Sequence, residues 1–250
     1  MTIPQLVAHR GYPEHFPENT LIGIEAAIRT GARLVEIDVQ LSADEVAVLM
    51  HDQNLQRVAG FKGTVHHLSY DRLCEIHPSE FERFGYRYAQ VRIPTLAEFC
   101  ELLQKWPGVT AFVELKPASV EHFGPALVLN RVLRDIEPVA GQVVLISFSF
   151  EILRAARKQG VTALGVILSK WRDRKSAVVR EIAPQYVLSN INLLPWWGKL
   201  RVDNAKLVVY EIVSAKLALQ LAARGVEFVE TFAIGEMLEQ LEHLKGRSSD

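Results

Sequence analysis

Residues 5–41, QLVAHRGYPEHFPENTLIGIEAAIRTGARLVEIDVQL, read as strand, polar loop, helix and strand. The run Gln5–Ala8 is short and apolar. In Thr20–Gly31 the apolar residues recur at helical spacing and the segment ends on glycine, the usual helix stop. Leu34–Leu41 is a nearly continuous apolar run, as in a strand covered on both faces. Two such strands joined by an amphipathic helix make a βαβ unit and therefore a parallel sheet.

The rhythm continues to the end of the chain. Further strand candidates are VAVLMH, VTAFVELK, QVVLISFS, TALGVILS, QYVLSNI, KLVVYEIV and VEFVETFA. Between them lie TLAEFCELLQKW, GPALVLNRVLRDI, FEILRAARKQG, RKSAVVREIAP, AKLALQLAARG and IGEMLEQLEHLKG. About eight such units in 250 residues fit a closed (β/α)8 TIM barrel, expected to span residues 1–250 as one domain. A doubly wound open sheet is the competing architecture, but no Gly-rich phosphate fingerprint follows any strand. Residues 53–91 break the rhythm with turn signals, aromatics and histidines, and read as a small insertion after the second strand, above the barrel mouth.

Composition narrows the function. With a net charge of −1 and no basic run, the chain offers no electrostatic footprint for nucleic acid or an anionic membrane. No apolar stretch is long enough for a membrane span. The opening MTIPQ lacks a signal-peptide pattern, and Cys74 and Cys100 follow no metal or redox spacing, so two free thiols and a cytoplasmic location are expected.

The polar residues at strand ends carry the chemistry. Side chains at i and i+2 share a strand face, so Glu36 and Asp38 point the same way, inward in a barrel. Two carboxylates so close cannot both stay ionised cheaply: one holds a proton, or a cation lies between them. Glu114 and Lys116 repeat the spacing, either as a surface ion pair or as part of the same mouth. Three inward carboxylates, Glu36, Asp38 and Glu114, make an oxygen cage suited to one divalent cation, Mg²⁺ or Ca²⁺. No His or Cys pair has zinc spacing. His9 and His51 each end an apolar run, where barrel active sites lie, and imidazole can give or take protons near neutral pH. His15, His66, His67, His77 and His122 fall in loops or the insertion and read as packing or surface residues. Arg10 and Lys116 supply positive donors suited to a phosphate. Glu18 and Asn19 can brace the site, and either Asn19 or Thr20 can cap the first helix.

HRG followed by PENT, E-x-D, HD, PTLAEF and E-x-K, in this order and spacing, resembles the glycerophosphodiester phosphodiesterase family. The likeness is densest over His9–Asp52, resumes at Ile93–Lys116, and includes a Ser-Phe segment at Ser147 and Phe148. It implies metal binding by Glu36, Asp38 and Glu114, acid–base chemistry by His9 and His51, and phosphate binding by Arg10 and Lys116. The implied reaction is hydrolysis of a small glycerophosphodiester to glycerol 3-phosphate and an alcohol such as choline, ethanolamine or glycerol. Two positions depart from the family: Tyr210-Glu211 stands where it often carries Trp-Thr-Val-Asn, and Thr231-Phe232-Ala233-Ile234 replaces Thr-Asp-x-Pro. Both departures concern the pocket wall and the alcohol it recognises. Three competing readings are lysophospholipase D-type cleavage, with an apolar trough from the insertion aromatics or Trp196-Trp197, a non-catalytic phosphate-binding barrel, and an aldolase-like metal enzyme.

Overall fold

The alternation of strand and helix closes into a ring. A computed structural model describes residues 2–246. Its strands are β1 (Gln5–Ala8), β2 (Leu34–Leu41), β3 (Ala47–Leu49), β4 (Thr110–Leu115), β5 (Val143–Ser147), β6 (Leu164–Leu168), β7 (Tyr186–Asn190), β8 (Lys206–Tyr210) and β9 (Phe228–Thr231). All except β3 are parallel, in the order β1-β9-β8-β7-β6-β5-β4-β2. Pairing of β1 with β2, Val7 opposite Leu34, closes the eight-stranded barrel. The architecture is the (β/α)8 barrel, and the open sheet is excluded by that closing pair.

Each strand sends its side chains alternately in and out. Val35, Ile37 and Val39 of β2 face outward into the core beneath the helices, while Leu34 faces the barrel interior. The interior plug comprises Val7, Leu34, Phe112, Val144, Ile146, Ile167, Leu188, Val208 and Phe228. Two or four residues further along the same face come His9, Glu36, Asp38, Glu114, Phe148, Asn190, Tyr210 and Glu230. Apolar below and mostly polar above, seven of the eight barrel strands hand these positions to the mouth.

The outer layer is α1 (Leu21–Thr30), α2 (Leu96–Gln104), α3 (Pro125–Ile136), α4 (Phe150–Lys158), α5 (Ala177–Ile182), α6 (Ala215–Ala223) and α7 (Ile234–Gly246). One unit departs from the regular scheme. Residues 191–205, between β7 and β8, hold a 3-10 turn at Ile191–Leu193 and no α-helix. The stretch LLPWWGKLRVDN has no helical periodicity, and Pro195 and Gly198 interrupt it.

The sequence VAVLMH also behaves differently from the other strand candidates. Its Ala47–Leu49 is not a barrel strand but runs antiparallel to β2, pairing Leu49 with Val39. Residues from Met50 to Thr95 follow as short helical turns over a small core of Val48, Met50, Leu55, Val58, Val65, Leu73, Ile76 and Ile93. Among the described residues both cysteines are free thiols, and no helix is long and apolar enough to cross a membrane.

Candidate active site

The turn after β1 builds one side of the mouth. Arg10 (φ 56°) and Gly11 (φ 87°) both take left-handed backbone conformations. Glycine is required at the second position for space as well, because an added Cβ would lie 2.9 Å from the Ile24 backbone nitrogen. The turn aims the Arg10 backbone N–H at Glu36 Oε2, 3.0 Å away, and the guanidinium Nε to within 3.3 Å of Asp38 Oδ2. Thr20, not Asn19, caps α1, accepting from the Gly23 N–H. Asn19 is thereby free to clasp Asp38 twice: its amide donates to Oδ2 at 2.8 Å and its carbonyl accepts from the Asp38 N–H at 3.0 Å.

Glu36, Asp38 and Glu114 converge as the i, i+2 spacing and the β2–β4 pairing require. One ligand oxygen from each lies within 4.8 Å of the others, and all three residues are buried. In β2–β4 register Asp38 sits opposite Glu114. Lys116 Nζ bridges the pair, 3.1 Å from Asp38 Oδ1 and 3.0 Å from Glu114 Oε1. Glu36 Oε1 is buried without a hydrogen-bond partner among the described residues. An orphaned carboxylate oxygen beside two others is a donor set that fits a hard divalent cation.

The environment pushes these acids apart. Burial alone would raise the Asp38 carboxyl, but Lys116, Arg10 and the Asn19 hydrogen bond hold it well below the usual carboxylate range. Burial, with Asp38 and Glu230 nearby, drives Glu36 well above its ordinary value. Glu114 is pushed up to about 7, by burial against the pull of Lys116. Burial would lower the Lys116 ammonium, yet Asp38 and Glu114 keep it firmly protonated.

The two histidines face this cage from opposite supports. His9 is buried and stacks on Phe232, ring centroids 4.6 Å apart and planes 12° apart, with Nε2 3.7 Å from Glu36 Oε2. Phe232 also lies 5.7 Å from the Arg10 guanidinium carbon, so this family departure buttresses two site residues. His51 reaches the mouth because β3 returns antiparallel; the Met50 N–H donates to the Asp38 carbonyl at 3.0 Å. Its Nδ1 lies 2.6 Å from Asp52 Oδ1. Asp52 in turn accepts from Arg57, and Arg57 and Arg10 both donate to Glu18, tying His51 to Arg10. Burial lowers both imidazoles from their ordinary value, His9 with help from Arg10 and strongly, His51 against the opposing charge of Asp38.

A cleft of about 230 Å³ is lined by His9, Arg10, Glu36, His51, Glu114 and Lys116 on one side. Its other side carries Phe148, Asn190, Tyr210, Glu211 and Glu230. Glu230 escaped the reading of the sequence. In VEFVET, Glu230 shares a strand face with the plug residue Phe228 two positions before it, but no second carboxylate at that spacing marks it as Asp38 marks Glu36. His15, His66, His67, His77 and His122 lie outside this lining, as do Trp196 and Trp197, which are 97% and 85% exposed. Of the insertion aromatics, Phe84 packs against Tyr88 and Phe81 against Tyr86, Phe61 and Tyr70 lie against the insertion's small core, and none lines the cleft.

A parallel barrel with acids, bases and cations gathered at the C-terminal ends of its strands is the arrangement of a barrel enzyme. Residues 9–210 match the model of the glycerophosphoryl diester phosphodiesterase family, and the chain belongs to that family. A glycerophosphodiester phosphodiesterase of Bacillus altitudinis is 32% identical over 148 residues, 58% of either chain. Glycerophosphodiester phosphodiesterase 1 of Homo sapiens is 35% identical over 163 residues, 63% of this chain and 47% of the human one. The matches thus span about half the length of these curated relatives. Among solved structures, an Oleispira antarctica phosphodiesterase in complex with the product sn-glycerol-3-phosphate superposes with a TM-score of 0.81 at 22% identity, over 96% of this chain and 97% of that one. A glycerophosphodiester phosphodiesterase from Agrobacterium tumefaciens gives 0.75 at 21% identity, over 95% and 99%. These likenesses establish the shared barrel.

Proposed function

We propose that this chain hydrolyses glycerophosphodiesters to glycerol 3-phosphate and an alcohol. The observation that carries the reading is one mouth holding three buried carboxylates, two basic side chains and two histidines with different supports. Glu36, Asp38 and Glu114 would hold one divalent cation, Mg²⁺ or Ca²⁺, which when bound supplies Lewis-acid stabilisation of charge on the phosphoryl oxygens. Arg10 and Lys116 bind the phosphate, and Glu18 and Asn19 brace Arg10 and Asp38.

The supports of the histidines divide the proton transfers. With Nδ1–H donated to Asp52, His51 presents a bare Nε2 as general base. It takes the proton of the glycerol 2-hydroxyl, whose oxygen attacks phosphorus. The phosphodiester anion bound beside His9 offsets the burial that otherwise keeps its ring neutral, and His9 gives a proton to the departing alcohol oxygen. Water then opens the cyclic phosphate with the roles reversed: His9 takes a proton from water and His51 returns one to the 2-oxygen. Each such transfer typically supplies about 3 to 5 kcal/mol. Phosphodiester cleavage demands on the order of 20 kcal/mol, so charge stabilisation and positioning must supply the rest.

The test is direct. Metal-stripped protein is incubated with glycerophosphocholine, glycerophosphoethanolamine and glycerophosphoglycerol, with and without added Mg²⁺ or Ca²⁺, and glycerol 3-phosphate is measured. Cation-dependent release from at least one ester is expected, with a loss of at least a hundredfold in kcat for His51→Ala or His9→Ala. No glycerol 3-phosphate under any condition overturns the reading, and release from a lysophospholipid alone reassigns the substrate.

A further inference from the structure

The net charge of −1 is an average over two unlike parts of the chain. Residues 170–206 hold eight Lys or Arg against three Asp or Glu, a net of +5, and the rest of the chain nets −6. The fold gathers most of these cations on one flank. The turn Trp171–Lys175 follows β6, and residues 191–205 stand between α5 and α6, where a barrel unit usually has its helix. The two segments are joined, Arg174 Nε donating to the Arg201 carbonyl at 3.3 Å. Lys170, Arg172, Lys175 and Arg201 are exposed, and none has a carboxylate partner among the described residues. Asp173 and Asp203 are the acids within these two segments.

Beside them stand Trp196 and Trp197, more exposed than any other large apolar side chain described. Rings so exposed touch almost nothing of their own chain; they project into water. The backbone beneath them is held. Arg224 donates to the Pro195 and Gly198 carbonyls, the latter at 3.0 Å, and Lys199 Nζ donates to the Ala223 carbonyl at 2.7 Å. The Leu200 N–H donates to the Arg224 carbonyl, also at 2.7 Å. Gly225 (φ 109°) permits this approach, since a Cβ there would lie 2.8 Å from the Leu200 oxygen. A fixed base under two projecting rings lowers the cost of ordering them on a partner. Arg224 lies at the C-terminal end of α6, the end remote from the mouth, so this tip can be covered while the cleft stays open.

Indole is amphipathic and settles at the boundary between lipid headgroups and chains, while Lys and Arg are drawn to anionic headgroups. We infer that the Trp196–Trp197 tip, flanked by Lys170, Arg172, Lys175, Lys199 and Arg201, docks this protein peripherally on an anionic phospholipid bilayer, with both indoles in the headgroup layer. The whole-chain charge gave no sign of such a footprint, because it counts charges without placing them. Shape and charge favour the bilayer over other occupants. A second copy of the chain would set the same positive patch against itself across a two-fold axis. A single nucleic-acid strand tracks a positive groove lined with stacking rings, and these rings project instead. The inference is independent of the proposed hydrolysis.

Vesicle flotation and tryptophan emission test it. The intact protein is mixed with vesicles of phosphatidylcholine, alone or with phosphatidylglycerol as about a third of the lipid. Partitioning onto the anionic vesicles is expected to be at least about tenfold stronger, to weaken as NaCl rises, and to bring a blue shift of tryptophan emission. Trp196→Ala/Trp197→Ala is expected to lose at least about tenfold in partitioning and most of the blue shift, with Tm unchanged because both rings are exposed. Arg172→Glu/Lys175→Glu, which keeps both rings, is expected to lose the preference for anionic vesicles. No partitioning, equal partitioning onto the two vesicles, or full binding by the tryptophan variant overturns the inference. Binding without a blue shift overturns it too, since the rings would then remain in water. Binding of a poly(U) oligonucleotide in place of vesicles reassigns the patch to nucleic acid, and self-association that the tryptophan variant abolishes reassigns it to a second copy. Failure of ester hydrolysis with vesicle binding intact defeats the proposed reaction and leaves the docking surface standing.

Discussion

Asp52 is the residue on which the proposed division of labour between the histidines rests. It receives His51 Nδ1 at 2.6 Å on one oxygen and Arg57 Nε at 2.6 Å on the other. Removing its charge while keeping its shape leaves the ring without the acceptor that fixes its tautomer. Asp52→Asn is therefore expected to lower kcat about ten- to a hundredfold with little change in KM, measured by steady-state kinetics on the best ester. A KM-only effect would show that Asp52 serves binding and not the orientation of the base. Phe232 illustrates a second lesson at this scale. In sequence it marks a lost family aspartate; in the structure it is the platform under His9.

At the scale of elements, the insertion is fastened to the barrel by a buried histidine. His66 Nε2 lies 2.9 Å from Gln40 Oε1 of β2 and 3.1 Å from Ser119 Oγ. The Gln40 amide, turned the other way, donates to the Met50 and His51 carbonyls and holds the segment carrying His51 against β2. Burial, with His122 and His67 nearby, lowers His66 to about 4. The sign follows: above about pH 6.5 the ring is neutral in both states and costs nothing. As pH falls toward 4 the unfolded chain takes a proton that the folded one refuses, and stability drops. The loss is expected to reach about 2 kcal/mol between pH 7 and pH 4.5. Urea unfolding at those two pH values checks it, and His66→Gln should show a correspondingly smaller difference. Parallel pH slopes in parent and variant would refute the assignment.

For the whole molecule, the buried acids at the mouth make folding and cation binding one equilibrium. A cation that binds the folded cage at a hundred times its dissociation constant adds about 2.7 kcal/mol. In a chain of this length that is about 5–10 °C in Tm. Metal-stripped protein is expected to gain such a shift with millimolar Mg²⁺ or Ca²⁺ and none with matched NaCl, by thermal denaturation. Glu36→Gln should abolish most of the gain, and an equal gain in that variant would place the cation elsewhere.

Much of this was legible beforehand, for reasons of period. Strand pleating forces residues two apart onto one face, so VEIDVQ set Glu36 and Asp38 together, while VELKP left Glu114 and Lys116 open between a surface ion pair and the mouth. Helical spacing and glycine stops declared the crossovers, and strand and helix in alternation declared the parallel sheet. Local pattern could not say that VAVLMH turns back on β2, because an antiparallel return and a barrel strand have the same apolar signature. Nor could it choose between Asn19 and Thr20 as helix cap, which depends on Asp38, distant along the chain but adjacent in space.

By itself, then, the sequence determined the alternation of strand and helix and that Glu36 and Asp38 share one strand face, since those follow from backbone periodicity acting over a few residues. Only the tertiary structure decided which side chains share a side of the cleft, that Phe232 supports His9, and that Glu230 joins the mouth. Such relations are set by the closing of β9 on β1 across more than two hundred residues, and burial and charge have no value at a position until that ring is shut.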